Sequence, residues 1–298
     1  MHRPILKLVG RRMEAAQTPD ELCKVVDRSV KLLPRASGVA TSPATFGHLG
    51  GLRITPTAGA AGSRSMLLFH GGGYVFGSPE QQRTLAGRIA KAADATVYLP
   101  RYRLAPEHPH PAAIDDGVTA YRAMLDRVPL HDLVVGGDSA GGGLALAMLQ
   151  RARDEGLPMP AGMVLISPWL DLTASGASYR TNADADFVLL PAARARATDW
   201  YRGEVPSADP AVSPLFGDMT GLPPTLVQVA APEVLYSDSD RFVDLAREAG
   251  VDVTFQIDGD MWHVWHLTAP LVTEARHAIA KIGDFVAART GTVPSETP

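Results

Sequence analysis

A single serine stands among glycines at residues 137–141, which read Gly-Asp-Ser-Ala-Gly. The segment follows the apolar run 133–135, which is typical of a buried strand. Glycine two residues before and after Ser139 permits a tight strand-to-helix turn, because side chains there would collide with the neighbouring strand and helix. A serine at the tip of such a turn is placed to act as a nucleophile.

Glycine-rich turns between a strand and a helix also bind nucleotides, and this alternative has to be weighed. The dinucleotide pattern G-x-G-x-x-G is not cleanly met here, and no phosphate-binding lysine follows the glycines. The nucleophile interpretation is therefore favoured.

A second glycine cluster, His-Gly-Gly-Gly at residues 70–73, directly follows the apolar run 66–69. Attack on a carbonyl creates a negatively charged oxygen, which backbone amides can stabilise where no side chain blocks their approach. We predict that Gly71, Gly72 and Ala140 donate these hydrogen bonds. His70 is expected to brace the loop rather than to react.

A serine nucleophile needs a histidine base, and three histidines follow Ser139 in the chain: His263, His266 and His277. His263 lies just beyond the strand-like run 251–257, where the carboxyl edge of the sheet is expected. His266 stands at the entrance of the last predicted helix, and His277 lies within that helix. The sequence favours His263, with His266 as the competitor.

The carboxylate that orients the histidine is expected in the loop after the strand-like run 225–229. Glu233 comes nearest to the strand end. Asp238 and Asp240 fall where the next helix should begin, and acidic residues there favour the helix dipole. The sequence favours Glu233 and leaves Asp238 as a second choice.

The elements that must position these residues are short β-branched or aliphatic runs, most of which start about 30 residues apart or slightly more. They predict an α/β fold with a parallel sheet built from βαβ units. The runs are 66–69, 96–99, 133–135, 163–166, 225–229 and 251–257.

Two segments fall outside this repeat. The long gap before residue 225 holds the helix-like stretch 182–203 and is large enough for a lid, and the first residues form separate amphipathic helices. Residues 44–59 are expected to form an antiparallel hairpin. We predict a catalytic domain of residues 46–170 and 206–298, with a helical cap made of residues 1–45 and the insertion 171–205.

The overall composition is that of an ordinary globular protein: 298 residues, 46% hydrophobic and 20% charged, with a net charge of −4. This charge gives no indication of nucleic-acid binding. One cysteine, Cys23, excludes an internal disulfide and favours a reducing compartment. The sequence shows neither a signal peptide nor a membrane anchor, so a cytoplasmic location is expected.

Four stretches together give the chain a family resemblance: His-Gly-Gly-Gly at 70–73, the segment 102–116, residues 137–143, and the pair Glu233 and His263. On these stretches the sequence resembles the hormone-sensitive-lipase-like esterases of the α/β-hydrolase fold. The resemblance implies a mostly parallel eight-stranded sheet flanked by helices, a helical cap, no cofactor, and a possible homodimer formed through the last strand. In the family the acid is usually an aspartate, so Glu233 is a departure.

The expected activity is hydrolysis of short- to medium-chain acyl esters by Ser139, His263 and Glu233 through an acyl-enzyme. An amidase or carbamate hydrolase with the same triad, or a non-catalytic small-molecule receptor, are the alternatives. The residues Tyr74, Asp138, Trp169 and Trp265 are predicted to line the substrate pocket. No metal is expected, because the histidine pairs of the sequence lack further ligands at matching spacing.

Overall fold

The structure is a computed structural model that describes residues 3–30, 34–58 and 63–291. The strands in these ranges are β1 (Val39–Phe46), β2 (Leu49–Pro56), β3 (Ser65–Phe69), β4 (Thr96–Pro100), β5 (Leu133–Asp138), β6 (Gly162–Ile166), β7 (Thr225–Ala230) and β8 (Val253–Asp258). The six runs read from the sequence are thus confirmed as β3 to β8, although β8 starts two residues later than its run.

The helices in the same ranges are α1 (Arg3–Ala15), α2 (Pro19–Val30), α3 (Pro79–Ala93), α4 (Ala112–Leu125), α5 (Ala140–Asp154), α6 (Ser178–Thr181), α7 (Pro191–Arg202), α8 (Tyr236–Glu248) and α9 (Thr273–Arg289). As far as the structure describes the chain, none of its helices combines the length and apolar character that crossing a membrane would require.

All eight strands form one sheet in the order β1-β2-β4-β3-β5-β6-β7-β8. β2 pairs antiparallel with both β1 and β4. The remaining neighbours in this order, from β4 through β3 to β8, all pair parallel. The carboxyl ends of β3, β5, β6, β7 and β8 therefore meet at one edge. This confirms the predicted mostly parallel eight-stranded sheet and assembles the glycine loops with the acid and histidine loops.

The sheet is buried on both faces, since every residue of its central strands β3 to β7 is buried. Successive side chains of β3 point to opposite sides: Met66 and Leu68 pack with α3 and α9, and Leu67 and Phe69 pack with α4 and α5. Helices thus cover both faces, as expected for crossover connections. The rigid sheet holds the loops at its carboxyl edge in fixed positions.

The antiparallel hairpin predicted for residues 44–59, of which residue 59 lies outside the described ranges, is confirmed and begins earlier than expected. It pairs Val39 with Pro56 and Phe46 with Leu49. The boundary placed between residues 45 and 46 is therefore wrong, because β1 lies almost entirely in the segment assigned to helices. Most side chains of β1 are exposed or half-buried, so the strand lacks the apolar run that would have revealed it.

Two separate parts of the chain are called the cap here: α1 with α2, and the α6–α7 segment between β6 and β7. The helix α1 packs against both α2 and α7. A carboxylate also joins the two parts. The two oxygens of Glu14 in α1 accept hydrogen bonds from the amides of Ala192 and Ala193, at 3.0 and 2.8 Å. These amides belong to the first turn of α7, where no intrahelical acceptor exists, so Glu14 acts as the N-terminal cap of α7.

Only part of the helix-like stretch 182–203 is helical. Residues 182–190 follow an irregular path, and α7 begins at Pro191, a residue suited to the first helical position. The carboxylate of Asp186 accepts hydrogen bonds from the amides of Val188 and Leu189, at 2.9 and 3.0 Å. These bonds satisfy the backbone of the irregular segment and compete with a helix there.

Candidate active site

Ser139 occupies the tight turn between β5 and α5, with φ of 53° and ψ of −124°. This left-handed backbone conformation is costly for a residue with a side chain and is held by its surroundings. A Cβ atom added at Gly137 would lie 2.1 Å from the carbonyl oxygen of Gly141, and one at Gly141 would lie 2.2 Å from that of Phe69. The steric reason predicted for both glycines is confirmed.

Backbone hydrogen bonds fix the serine turn to β6 and to the loop that follows it. The amide of Ser139 donates to Ile166 at 2.9 Å, and its carbonyl accepts from the amide of Trp169 at 3.0 Å. Ala140 is the first residue of α5, where amides have no intrahelical acceptor. The amino end of α5 therefore presents free donors and partial positive charge beside the serine.

His263 and Glu233 form a buried pair, with Nδ1 of His263 2.7 Å from Oε2 of Glu233. Glu233 follows β7, and His263 lies in the loop after β8. These strands are parallel neighbours, so their carboxyl ends bring the two side chains together. With Nδ1 donating to the carboxylate, Nε2 is left as a proton acceptor.

Two donors hold the other oxygen of Glu233. The hydroxyl of Ser167 donates to Oε1 at 2.8 Å, and the amide of Ala230 donates to it at 2.7 Å. Ser167 is fully buried at the end of β6 and was not identified from the sequence. Its position directly after a central strand is the signal that could have indicated it.

The electrostatics favour a charged His263. Burial alone lowers the pKa of this histidine, but the hydrogen bond and the negative charge of Glu233 act against it. The carboxylates of Asp186 and Asp138 act in the same direction, so the pKa of His263 lies above its usual value of 6.5. An imidazolium is thus stabilised at this position.

Asp238, the second choice for the acid, has another role. One of its oxygens accepts from the amides of Leu170 and Asp171, at 2.9 and 3.0 Å, and from the hydroxyl of Tyr179 at 3.1 Å. Burial raises the pKa of Asp238 to about 8, so that it is largely protonated at neutral pH. It anchors the loop after β6, and Glu233 is the carboxylate paired with His263.

The competing histidines do not take part in the site. His266 is fully buried, and its Nε2 lies 2.7 Å from the side-chain oxygen of Gln228. Burial lowers the pKa of His266 to about 3, so this imidazole stays neutral. His277 lies exposed on α9. The structure therefore places only His263, among the three, beside the serine turn.

The glycine loop after β3 lies beside Ser139, but the amides that it leaves free are not all the ones predicted. The amide of Gly71 donates to Oδ1 of Asp138 at 3.1 Å, so it is not free to bind a developing oxyanion. Within the described ranges, the amides of Gly72 and Gly73 donate to no acceptor. The prediction for Gly71 is wrong, because the buried carboxylate next to the nucleophile captures its amide.

The predicted bracing role of His70 is confirmed. Its Nδ1 lies 2.8 Å from the carbonyl oxygen of Gly71, and its ring stacks on Tyr102 with centroids 4.3 Å apart. The hydroxyl of Tyr102 donates to the carbonyl of His70 at 2.7 Å. Tyr102 opens the segment 102–116, which is therefore linked to the shape of the glycine loop.

A cavity of about 630 Å³ opens at Ser139 and His263 and extends under the cap. Its floor is the glycine loop and the serine turn, and its walls are mainly apolar side chains of the cap and of the loop after β8. These wall residues include Leu6, Val9, Met13, Leu22, Val188, Leu189, Ala193, Ala197, Trp262 and Leu267. Such a site suits a small, largely apolar molecule.

Two of the four predicted pocket residues line this cavity, Asp138 and Trp169. The other two do not. Tyr74 is buried and stacks on Tyr201 with centroids 3.7 Å apart, and Trp265 packs in the core between the sheet and α9. The prediction that Tyr74 and Trp265 line the pocket is wrong, because both rings are used for packing.

The sequence has relatives of known type. Residues 66–267 match the family described as alpha/beta hydrolase fold. An acetyl-hydrolase of Streptomyces hygroscopicus is 42% identical over 248 residues, which cover 83% of this chain and 82% of the relative. An esterase of Acinetobacter venetianus is 37% identical over 271 residues, covering 90% of this chain and 88% of that protein.

A solved structure, that of an esterase from the bacterial hormone-sensitive lipase family, superimposes with a TM-score of 0.91. It is 36% identical to this chain, and the match covers 97% of this chain and 99% of that one. The similarity thus includes the cap as well as the sheet.

Proposed function

This chain belongs to the α/β-hydrolase family, and on that premise we propose that it is a serine carboxylesterase of the hormone-sensitive-lipase type. The observation that carries the proposal is the buried pair of His263 and Glu233, 2.7 Å apart, with His263 lining the same cavity as the strained Ser139. A histidine oriented in this way can take the proton of a serine hydroxyl and so make it a nucleophile.

The proposed reaction begins when the hydroxyl of Ser139 attacks the ester carbonyl while Nε2 of His263 takes its proton. Glu233 keeps the imidazole in the productive tautomer and stabilises its positive charge. His263 then protonates the leaving alcohol, and an acyl-enzyme remains on Ser139. A water molecule activated by His263 releases the acid and restores the serine.

The oxygen of the tetrahedral intermediate is proposed to accept hydrogen bonds from the amides of Gly72, Gly73 and Ala140. Unoccupied loop donors and the amino end of α5 support this assignment. Asp138 fixes the glycine loop by accepting a hydrogen bond from the amide of Gly71. It also accepts one from the side chain of Gln82. No cofactor takes part in these steps.

The first test is hydrolysis of p-nitrophenyl esters of increasing acyl length. We propose that the acyl chain lies in the apolar cavity, so kcat/KM should rise about three- to fourfold for each methylene added beyond acetyl. It should fall once the chain exceeds the cavity.

Ala193→Phe, on the cavity wall, should move the optimum to shorter chains, and Ala195→Phe, exposed on the same helix, should not. A flat series with no effect of Ala193→Phe would contradict this placement.

Ester and amide hydrolysis pass through the same oxyanion, so the geometry of the site does not distinguish them. Rates measured on an ester and its matched amide do. We expect the ester to be turned over much faster. A protein that bound both compounds and hydrolysed neither would instead be a receptor.

The pH dependence tests the base. His263 must be neutral to accept a proton, and its pKa lies above 6.5, so kcat/KM should fall as the pH decreases, with a midpoint above 6.5. Rates measured from pH 5 to 9 check this. Burial raises the pKa of Asp138 to about 6, so a midpoint near that value would assign the acid limb to Asp138.

A homodimer and a cytoplasmic location stay predictions. The edge position of β8 supports the dimer, because one side of this strand pairs with no other described strand. Light scattering of the purified protein measures its oligomeric state.

A further inference from the structure

The loop of the cap insertion that carries Asn182 and Asp186 touches the catalytic acid as well as the substrate cavity. The side-chain amide of Asn182 donates to the carbonyls of Ala231 and Glu233, both at 2.8 Å. One oxygen of Asp186 accepts from the amide of Val234 at 3.0 Å. The backbone on both sides of the Glu233 side chain is thus held by the cap.

The other oxygen of Asp186 holds the cavity wall. It accepts from the amides of Val188 and Leu189, and the side chains of both residues line the cavity. Asp186 itself is 5% exposed and is not part of the lining. In the described part of the chain, its hydrogen bonds come only from backbone amides, so no cation neutralises it there.

We propose that Asp186 is a positioning residue that joins the wall of the substrate cavity to the backbone of the catalytic acid, and that its buried negative charge stabilises the imidazolium of His263 during turnover. Asn182 completes the attachment from the same loop. A charge at a buried position acts over a longer distance than it would in water.

Other groups also act on His263 and have to be kept constant in a test. The negative charges of Glu233 and Asp138 face it from the ends of β7 and β5, and the neutral His266 follows it in the chain. A substitution at Asp186 leaves all of these in place. It therefore isolates the effect of this cap residue on His263.

The decisive variant is Asp186→Asn, measured with a p-nitrophenyl ester across pH 5–9. One oxygen of asparagine can replace only one side of the carboxylate, so a backbone contact is lost together with the charge. We expect kcat per active site to fall about tenfold and the acid limb of kcat/KM to move to lower pH. Titration of active sites with a serine-directed phosphonate corrects for inactive protein.

Asp184→Asn is the matched control, because Asp184 is exposed in the same loop and carries the same charge. It should keep both the native kcat and the native pH limb. Equal shifts in the two variants would attribute the effect to general surface charge and overturn the proposal. A native kcat per site and an unmoved limb in Asp186→Asn would overturn it as well.

Asn182→Ala keeps the proposal testable if Asp186→Asn does not fold. This change removes two donors without altering charge, and we expect kcat per site to fall about three- to tenfold with little change in KM for a short ester. A native kcat would count against attachment by the cap.

The inference rests on the proposed esterase, and the two can fail separately. Full activity in Ser139→Ala would remove the proposed function itself. Loss of activity in Ser139→Ala, together with native behaviour of both loop variants, would remove only the role of the cap loop.

Discussion

Replacing Ser139 with alanine is expected to lower kcat/KM for p-nitrophenyl butyrate by roughly 10⁴-fold or more. The substitution removes the nucleophile and leaves the cavity, the loop amides and His263 in place, so binding should persist. The side chain of Ser139 makes no capping hydrogen bond to the amino end of α5. The melting temperature should therefore stay close to that of the native protein.

A serine-directed phosphonate gives this prediction a second measurement. Mass spectrometry should find one reagent bound to the native protein, on the peptide containing Ser139, and none on the variant. Ser37→Ala, at an exposed serine far along the chain, is the control and should be labelled and active like the native protein. Retention of the native rate by Ser139→Ala would refute the assigned nucleophile.

The second large effect is expected for Glu233→Gln, which should lower kcat by about 10³- to 10⁴-fold. The donors Ser167 and Ala230 face one oxygen of Glu233, so the oxygen of the glutamine should stay with them. Its amino group then faces Nδ1 of His263. Two donors cannot share a hydrogen bond, so the imidazole must accept there and carry its proton on Nε2, where it cannot receive one from Ser139.

Asp238→Asn provides the comparison for this prediction, since it alters the other buried carboxylate of the same region. Asp238 is already largely protonated at neutral pH because its pKa is raised to about 8, and an amide oxygen can accept the same hydrogen bonds. We expect this variant to keep kcat within a few-fold of the native value. If Asp238→Asn lost activity and Glu233→Gln did not, the acid would have to be reassigned.

The residues proposed as catalytic could be selected from the sequence because their positions follow from chain order and from the ends of strands. Parallel strands bring all their carboxyl ends to one edge, so a residue just after β5, β7 or β8 has to lie near that edge. Ser139, Glu233 and His263 are such residues. The choice between Glu233 and Asp238 needed the structure, because both follow β7 closely and only hydrogen-bond partners distinguish them.

The errors concern features that the local sequence does not encode. Which loop amide is free depends on Asp138, which is 67 residues from Gly71 in the chain. Whether Tyr74 or Trp265 lines a cavity depends on the rings packed against it, and these come from distant helices. The role proposed for Asp186 could not be predicted for a similar reason. It depends on the hydrogen bond of Asp186 to the residue after Glu233, which is distant in the chain.

The contact of Glu14 with the amino end of α7 has a consequence for the order of folding. These groups are 178 and 179 residues apart in the chain, and closing so long a segment is entropically costly before anything else is ordered. The sheet brings the two parts of the cap to the same edge and thereby removes most of that cost. We therefore expect the contact between α1 and α7, and with it the wall of the substrate cavity, to form after the sheet.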